Sequence, residues 1–262
     1  MKTVIVGIGG MTNGGKSTLA TRLQQQIPNS CIVAQDTYFK DDSVVPVDSN
    51  GFKQYDDLDA LHMDQMLDDI NLWRRGPECF LKKRGLEPMQ VSQPGSDVFV
   101  LIVEGFLIFN YRPLNCLYDK KYFIEIPYDI CKTRRSTRVY SPPDLPGYFD
   151  GYVWPMYLKN RKEMEAMVSD IGEVFFHYDM KFTLTLYIFT VIILKSTYIA
   201  VFLDGLQDKD QLLDSVHKDV LKTIEGRKGK VALLFEFSQT FLGGFFSKII
   251  TILCLFVSFS EK

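Results

Sequence analysis

Four short, almost unbroken apolar runs punctuate the first half of the chain: Thr3–Ile8, Cys31–Ala34, Phe99–Val103 and Tyr122–Ile126. Strands buried on both faces read this way, as in a parallel sheet. Between them the spacing turns helical. Lys16–Gln26 predicts a helix that stops near Pro28, and Leu58–Arg75 places Leu61, Met66, Leu67, Ile70 and Trp73 on one apolar stripe. An arginine-rich helix is predicted after Ile126, and another ending near Met167, ahead of a last strand at Ile199–Leu203. The polar stretch Asp41–Asn50 predicts an exposed loop. Gly76–Ser96, rich in Gly, Pro and Lys, predicts a surface excursion. Strands alternating with helices predict a parallel sheet covered on both faces.

The texture changes near Gly172. Phe182–Leu194 is strongly apolar, and Phe241–Phe259 carries Lys248 as its only charge. The expected organisation is one domain over residues 1–228, interrupted by an atypical apolar insert at 172–198. An apolar tail at 229–262, disordered or loosely packed, follows it. Joining Ile171 directly to Ile199 would leave an ordinary short connection, so the sheet can be completed without the insert. Phe182–Leu194 falls short of the roughly 20 residues that span a bilayer. The later stretch is broken by Gly243-Gly244 and Lys248, so membrane attachment is not expected.

Composition narrows the class. With 46% hydrophobic and 24% charged residues the balance is that of a globular domain, and a net charge of −2 leaves no footprint for nucleic acid. The 5 cysteines are scattered without a CxxC pair, which fits a reducing, cytoplasmic setting. The N-terminal run Val4-Ile5-Val6 is too short for a signal-peptide core and is read as a buried first strand.

The strongest chemical signal is Gly10-Met11-Thr12-Asn13-Gly14-Gly15-Lys16-Ser17, which satisfies G-x-x-x-x-G-K-[ST] between a predicted strand and a predicted helix. Its glycines let backbone N–H groups turn inward on phosphate, and the helix start adds a favourable dipole. Lys16 would neutralise the β- and γ-phosphates of ATP, and the Ser17 hydroxyl would ligate Mg²⁺. Glu104 ends a predicted strand at the sheet edge where ligands gather, placed to hold Mg²⁺ directly or through water. Asp36 ends the second strand, where a carboxylate could take the proton of an attacking hydroxyl. Arg134, Arg135 and Arg138 lie within five residues ahead of Pro142-Pro143, as in a mobile lid that clamps transferring phosphate.

Taken together, Gly7–Thr18, Gln35-Asp36, Glu104-Gly105-Phe106, Arg134–Tyr140, Pro143–Gly151 and Trp154–Tyr157 resemble the nicotinamide riboside kinase family. The resemblance covers about residues 1–171 and resumes from Val201 to about Ile224. It implies a three-layer α/β P-loop kinase fold with a central parallel sheet and an Arg-rich lid. It further implies transfer of the ATP γ-phosphate to the 5′-hydroxyl of nicotinamide riboside, or of its acid form, in NAD salvage. By position it implies Asp36 as general base beside Lys16, and Ser17 and Asp36 at the magnesium site. Gly10, Met11, Thr12, Asn13, Gly14, Gly15, Lys16, Ser17, Thr18, Arg134, Ser136, Arg138, Val139 and Tyr140 fall at ATP-binding positions, and Gln207, Asp208 and Lys209 would lie near the nucleotide base. Asp36, Thr37, Tyr38, Phe39, Tyr55, Asp56, Arg135, Tyr140 and Ser141 fall at substrate positions. Two tyrosine rings could stack a flat pyridinium cation, and Asp56 could accept from ribose hydroxyls. Thr37-Tyr38 stands where many relatives carry Asp and Phe. A uridine-kinase-like enzyme is the competing kinase, and a P-loop switch or a membrane-associated protein the competing classes. A switch is disfavoured because no Asn-Lys-x-Asp guanine-reading motif occurs.

Overall fold

A computed structural model describes residues 2–86, 98–140, 143–176 and 200–241, with backbone alone for 168–176 and 227–241. Residues 1–220 form one compact unit and 221–262 a second. The first unit holds strands β1 (Lys2–Gly10), β2 (Ser30–Ala34), β3 (Val98–Glu104), β4 (Lys120–Glu125) and β5 (Val201–Asp204). Its helices are α1 (Lys16–Gln26), α2 (Met63–Arg75), α3 (Pro77–Lys83), α4 (Arg112–Asn115), α5 (Tyr128–Ser136), α6 (Trp154–Phe176) and the start of α7 (Lys209–Phe241). Of the second unit, α7 continues helically as far as Phe241.

The strands form one parallel sheet in the order β2-β3-β1-β4-β5. The continuous apolar runs have their reason here. Every residue of β3 is buried, because side chains of alternate residues enter layers on opposite faces of the sheet. Ile5, Phe99, Leu101, Val103, Cys31 and Val33 join a core with Met63, Met66, Ile70 and Trp73 of α2 and Met164 of α6. The alternate residues Val4, Val6, Ile8, Val100 and Ile102 are buried as well, and α1 packs on β1, β2 and β3. This is the three-layer P-loop kinase architecture that the resemblance implies, built on the parallel sheet that the strand–helix alternation predicts.

Several boundaries differ from expectation for local reasons. The predicted helix Leu58–Arg75 is broken: a 3-10 turn over Leu58–Ala60 is capped by Asp57, and α2 begins only at Met63. The excursion Gly76–Ser96 contains α3, started by Pro77 at its first turn and anchored by buried Phe80 and Leu81; residues 87–97 lie outside the described residues. The helix expected to end near Met167 runs to Phe176, so the first residues of the predicted insert belong to α6, and 177–199 lie outside the described residues. The strand expected at Ile199–Leu203 runs from Val201 to Asp204. The boundary expected at 229 falls inside α7, and the apolar stretch beyond Phe241 lies outside the described residues. Among the described residues no helix is long and apolar enough to cross a membrane, and Cys31, Cys79, Cys116 and Cys131 are free thiols.

Candidate active site

The phosphate loop leaves β1 at Gly10, whose φ of 133° favours glycine and where a Cβ would stand 2.3 Å from the Ile124 carbonyl oxygen. Asn13 is left-handed as well, with φ 59°. The loop closes through a Gly14 N–H donated to Met11 O at 3.3 Å, and the Lys16 ammonium folds back to donate to the same carbonyl at 2.9 Å. Desolvation pulls the Lys16 pKa down, and the charges of Glu104 and Asp36 oppose that. Lys16 thus faces both carboxylates expected at the site.

Glu104 reaches this point because β3 pairs with β1 so that it stands beside Ile8. Its Oε1 accepts the Ser17 hydroxyl at 2.9 Å. Burial raises the Glu104 pKa, while Lys16 and the Ser17 bond lower it. Gln35 braces the strand ends: it is fully buried, and its Oε1 accepts the Leu107 N–H at 2.9 Å. It is followed by Asp36, exposed at the second position of the 3-10 turn Gln35–Tyr38. Ser17 and the two carboxylates form an oxygen donor set suited to Mg²⁺, a hard cation that takes few protein ligands and keeps places for phosphate and water.

Arg134 of α5, with Arg138 and Tyr140 beyond it, converges on the phosphate loop. Arg134 donates to Asn13 O at 3.1 Å, and Arg138 and Tyr140 reach Asn13 Oδ1 at 3.5 and 3.2 Å. Arg135 instead makes a two-pronged ion pair with Asp144, at 2.6 and 2.9 Å, and stacks over the Tyr140 ring at 4.4 Å. Ser136 donates back to Thr133 O at 2.8 Å, and Val139 is 94% exposed, so neither touches the loop in this arrangement. Ser141 lies outside the described residues.

On the substrate side, Phe39 meets Tyr55 edge-on at 5.8 Å and stacks with Phe106 at 5.9 Å. The Tyr55 hydroxyl is bonded to Asp42. Half-buried Asp56 is held by its backbone, which donates to Tyr152 Oη at 3.1 Å and accepts from Asn160 at 2.9 Å. Burial pushes its pKa up to about 6; Arg135 and Lys16 pull it down, while Asp144 and Asp36 push it further up. Asp56, Met11, Thr12, Phe106 and Asn160 line a cavity of about 20 Å³ beneath the loop. Two neighbours turn elsewhere in this structure. Tyr38 is buried in the core and donates to Asp69 of α2 at 2.6 Å, and the Thr37 hydroxyl turns back to Ala34 O at 2.8 Å.

Beyond β5, Asp208 caps α7 by accepting the N–H groups of Asp210 and Gln211 at 3.0 and 3.1 Å. Gln207 and Lys209 are exposed beside it. Tyr152 and Asn160 bond the Asp56 backbone and Tyr148 stacks on Tyr152 at 5.3 Å; sequence alone assigns none of the three a role, although Tyr148 lies within the Pro143–Gly151 motif. A larger groove of about 410 Å³, between α6 and β5, contains the Arg161–Glu125 pair at 2.5 Å and none of the predicted site residues.

No protein-family model matches the chain. It is 42% identical to nicotinamide riboside kinase 1 of Rattus norvegicus over 229 residues, covering 87% of this chain and 100% of the relative. It is 39% identical to nicotinamide riboside kinase 2 of Homo sapiens, covering 87% and 86%. A crystal structure of a sugar kinase from Janibacter aligns at 12% identity and a TM-score of 0.40, covering 82% of this chain and 92% of that one. At such identity across the whole length of the rat protein, this chain belongs to the nicotinamide riboside kinase family.

Proposed function

We propose that the protein transfers the γ-phosphoryl group of ATP to the 5′-hydroxyl of nicotinamide riboside, yielding nicotinamide mononucleotide and ADP in NAD salvage. Family membership supports the substrate, and one observation supports the chemistry: the phosphate loop brings Lys16 into the field of both Glu104 and Asp36. Asp36, exposed at the strand end, takes the proton of the 5′-hydroxyl as its oxygen forms a bond to the γ-phosphorus. The bond from that phosphorus to the β,γ-bridging oxygen breaks, and its electron pair leaves with ADP. Lys16, Arg134 and Arg138 meet the charge on the transferring group. Ser17, Glu104 and Asp36 would hold Mg²⁺, which when bound neutralises phosphate charge. Tyr55, Phe39 and Asp56 would receive the pyridinium ring and ribose, with Arg135 and Tyr140 at the rim.

The test is product formation by the purified chain with ATP and magnesium, offering nicotinamide riboside, its acid form and uridine at equal concentration. Nicotinamide mononucleotide as the favoured product supports the proposal. Preferential phosphorylation of uridine transfers the assignment to the uridine-kinase-like reading, and nucleotide binding without transfer favours a switch.

A further inference from the structure

We infer that Asn13 is a positioning residue that stands in for phosphate, its two oxygens holding the arginine-bearing segment 134–140 on the phosphate loop until ATP displaces it. The inference rests on the kinase reading of this site and deepens it. Three donors from a segment more than a hundred residues away meet on this one residue: Arg134 on its carbonyl oxygen, and Arg138 and Tyr140 on its side-chain oxygen. Arginine has donors and no acceptor, so the amide atom that faces Arg138 must be the oxygen. The cost of that orientation is visible in Asn13 Nδ2, which is buried without a hydrogen-bond partner. An amide that leaves its own donor unsatisfied while offering every acceptor to a guanidinium-rich segment presents what a phosphate presents: oxygens alone.

The backbone makes the choice of residue specific. Asn13 has φ 59°, a conformation that asparagine and glycine accept and most residues resist. Asparagine therefore meets the loop's conformational demand and carries an acceptor as well, whereas glycine would meet the first alone. When ATP enters, its phosphate oxygens offer charge where Asn13 offers a dipole, and charge-assisted bonds are the stronger. Arg138 and Tyr140 then exchange one acceptor for another. The competent state thus competes with the Asn13-bound one, and apparent ATP affinity is reduced by the fraction so held.

Two variants separate the acceptor from the backbone. Asn13→Gly keeps the left-handed conformation and removes the oxygen; Asn13→Asp keeps the oxygen. Hydrogen exchange of ligand-free protein should show segment 134–140 several-fold less protected in Asn13→Gly and at least as protected as the parent in Asn13→Asp, whose carboxylate gives Arg138 a charge-assisted bond. Titration with a non-hydrolysable ATP analogue should give about three- to tenfold tighter binding in Asn13→Gly, the size of one or two modest hydrogen bonds. Unchanged protection in Asn13→Gly, or equal loss in both variants, overturns the inference. So does weaker analogue binding by Asn13→Gly, which would make the side chain a direct nucleotide ligand. Exchange and analogue binding involve no nucleoside, so a parent enzyme that passes both yet leaves nicotinamide riboside untouched refutes the proposed function and spares this inference.

Discussion

Ser17 donates its hydroxyl to Glu104 at 2.9 Å, joining the end of the phosphate loop to the end of β3 across 87 positions of sequence. The parallel register sets this contact, because β3 pairs with β1 residue for residue from Val98 beside Lys2 to Glu104 beside Ile8. Both carry oxygen to the carboxyl edge of the sheet, where open α/β sheets gather ligands. If they hold Mg²⁺ together, Glu104→Gln should keep the fold and raise the magnesium needed for half-maximal activity by about 10–100-fold, the usual size of losing a supporting ligand. Activity measured against free magnesium checks this; an unchanged curve removes Glu104 from the metal site.

Lys16 donates to Met11 O at 2.9 Å within the field of Glu104 and Asp36. In the proposed reaction its charge meets the charge that develops on phosphate. Lys16→Ala should lower kcat by at least about 10²-fold, as when one preorganised donor is removed from a developing charge. Circular dichroism should show the fold intact. A folded variant with near-normal turnover would show that phosphate is not transferred here.

Asp36 lies exposed after β2, its side chain open to an approaching hydroxyl group. If Asp36 is the base, Asp36→Asn keeps its shape and removes that function, so kcat should fall by about 10²–10⁴-fold. Binding of an ATP analogue, measured alongside, should change far less. Equal turnover in variant and parent would exclude Asp36 from proton transfer.

The sheet was legible because burial on both faces writes itself as continuous apolar sequence, as in Phe99–Val103. The phosphate loop was legible because its backbone constraint selects residue types, glycine at Gly10 above all. What stayed hidden depends on tertiary neighbours. Tyr38 and Phe39 are adjacent aromatics, yet Tyr38 enters the core to bond Asp69 while Phe39 faces Tyr55 and Phe106. Nothing local separates them. The polar and glycine-rich look of Gly76–Ser96 likewise concealed α3, whose two anchors, Phe80 and Leu81, lie among its lysines. Gln35 stands in the sequence only as the neighbour of Asp36 in the Gln35-Asp36 segment, and only the fold shows it bonded to Leu107.

Asp56 carries the pH prediction. Burial raises its carboxyl pKa to about 6, so the folded protein holds this proton more tightly than the unfolded chain, where an aspartate titrates near 4. Its contribution to stability is therefore fully present below about pH 4 and is lost as pH rises through about 6. Function runs the opposite way. If Asp56 receives the ribose, as proposed, its ionised carboxylate is the form that accepts from hydroxyls and attracts a pyridinium cation, so kcat/KM for nicotinamide riboside should fall as pH drops through about 6. Asp56→Asn should have lower kcat/KM at neutral pH and lose that step, and its stability relative to the parent should rise between about pH 4 and 6. The checks are kcat/KM for the riboside from pH 5 to 8 and urea unfolding of both proteins across the same interval extended to pH 4. A step near 6 that persists in Asp56→Asn would assign the titration to another group, and a parent without any step would mean that Asp56 does not meet the substrate in its ionised form.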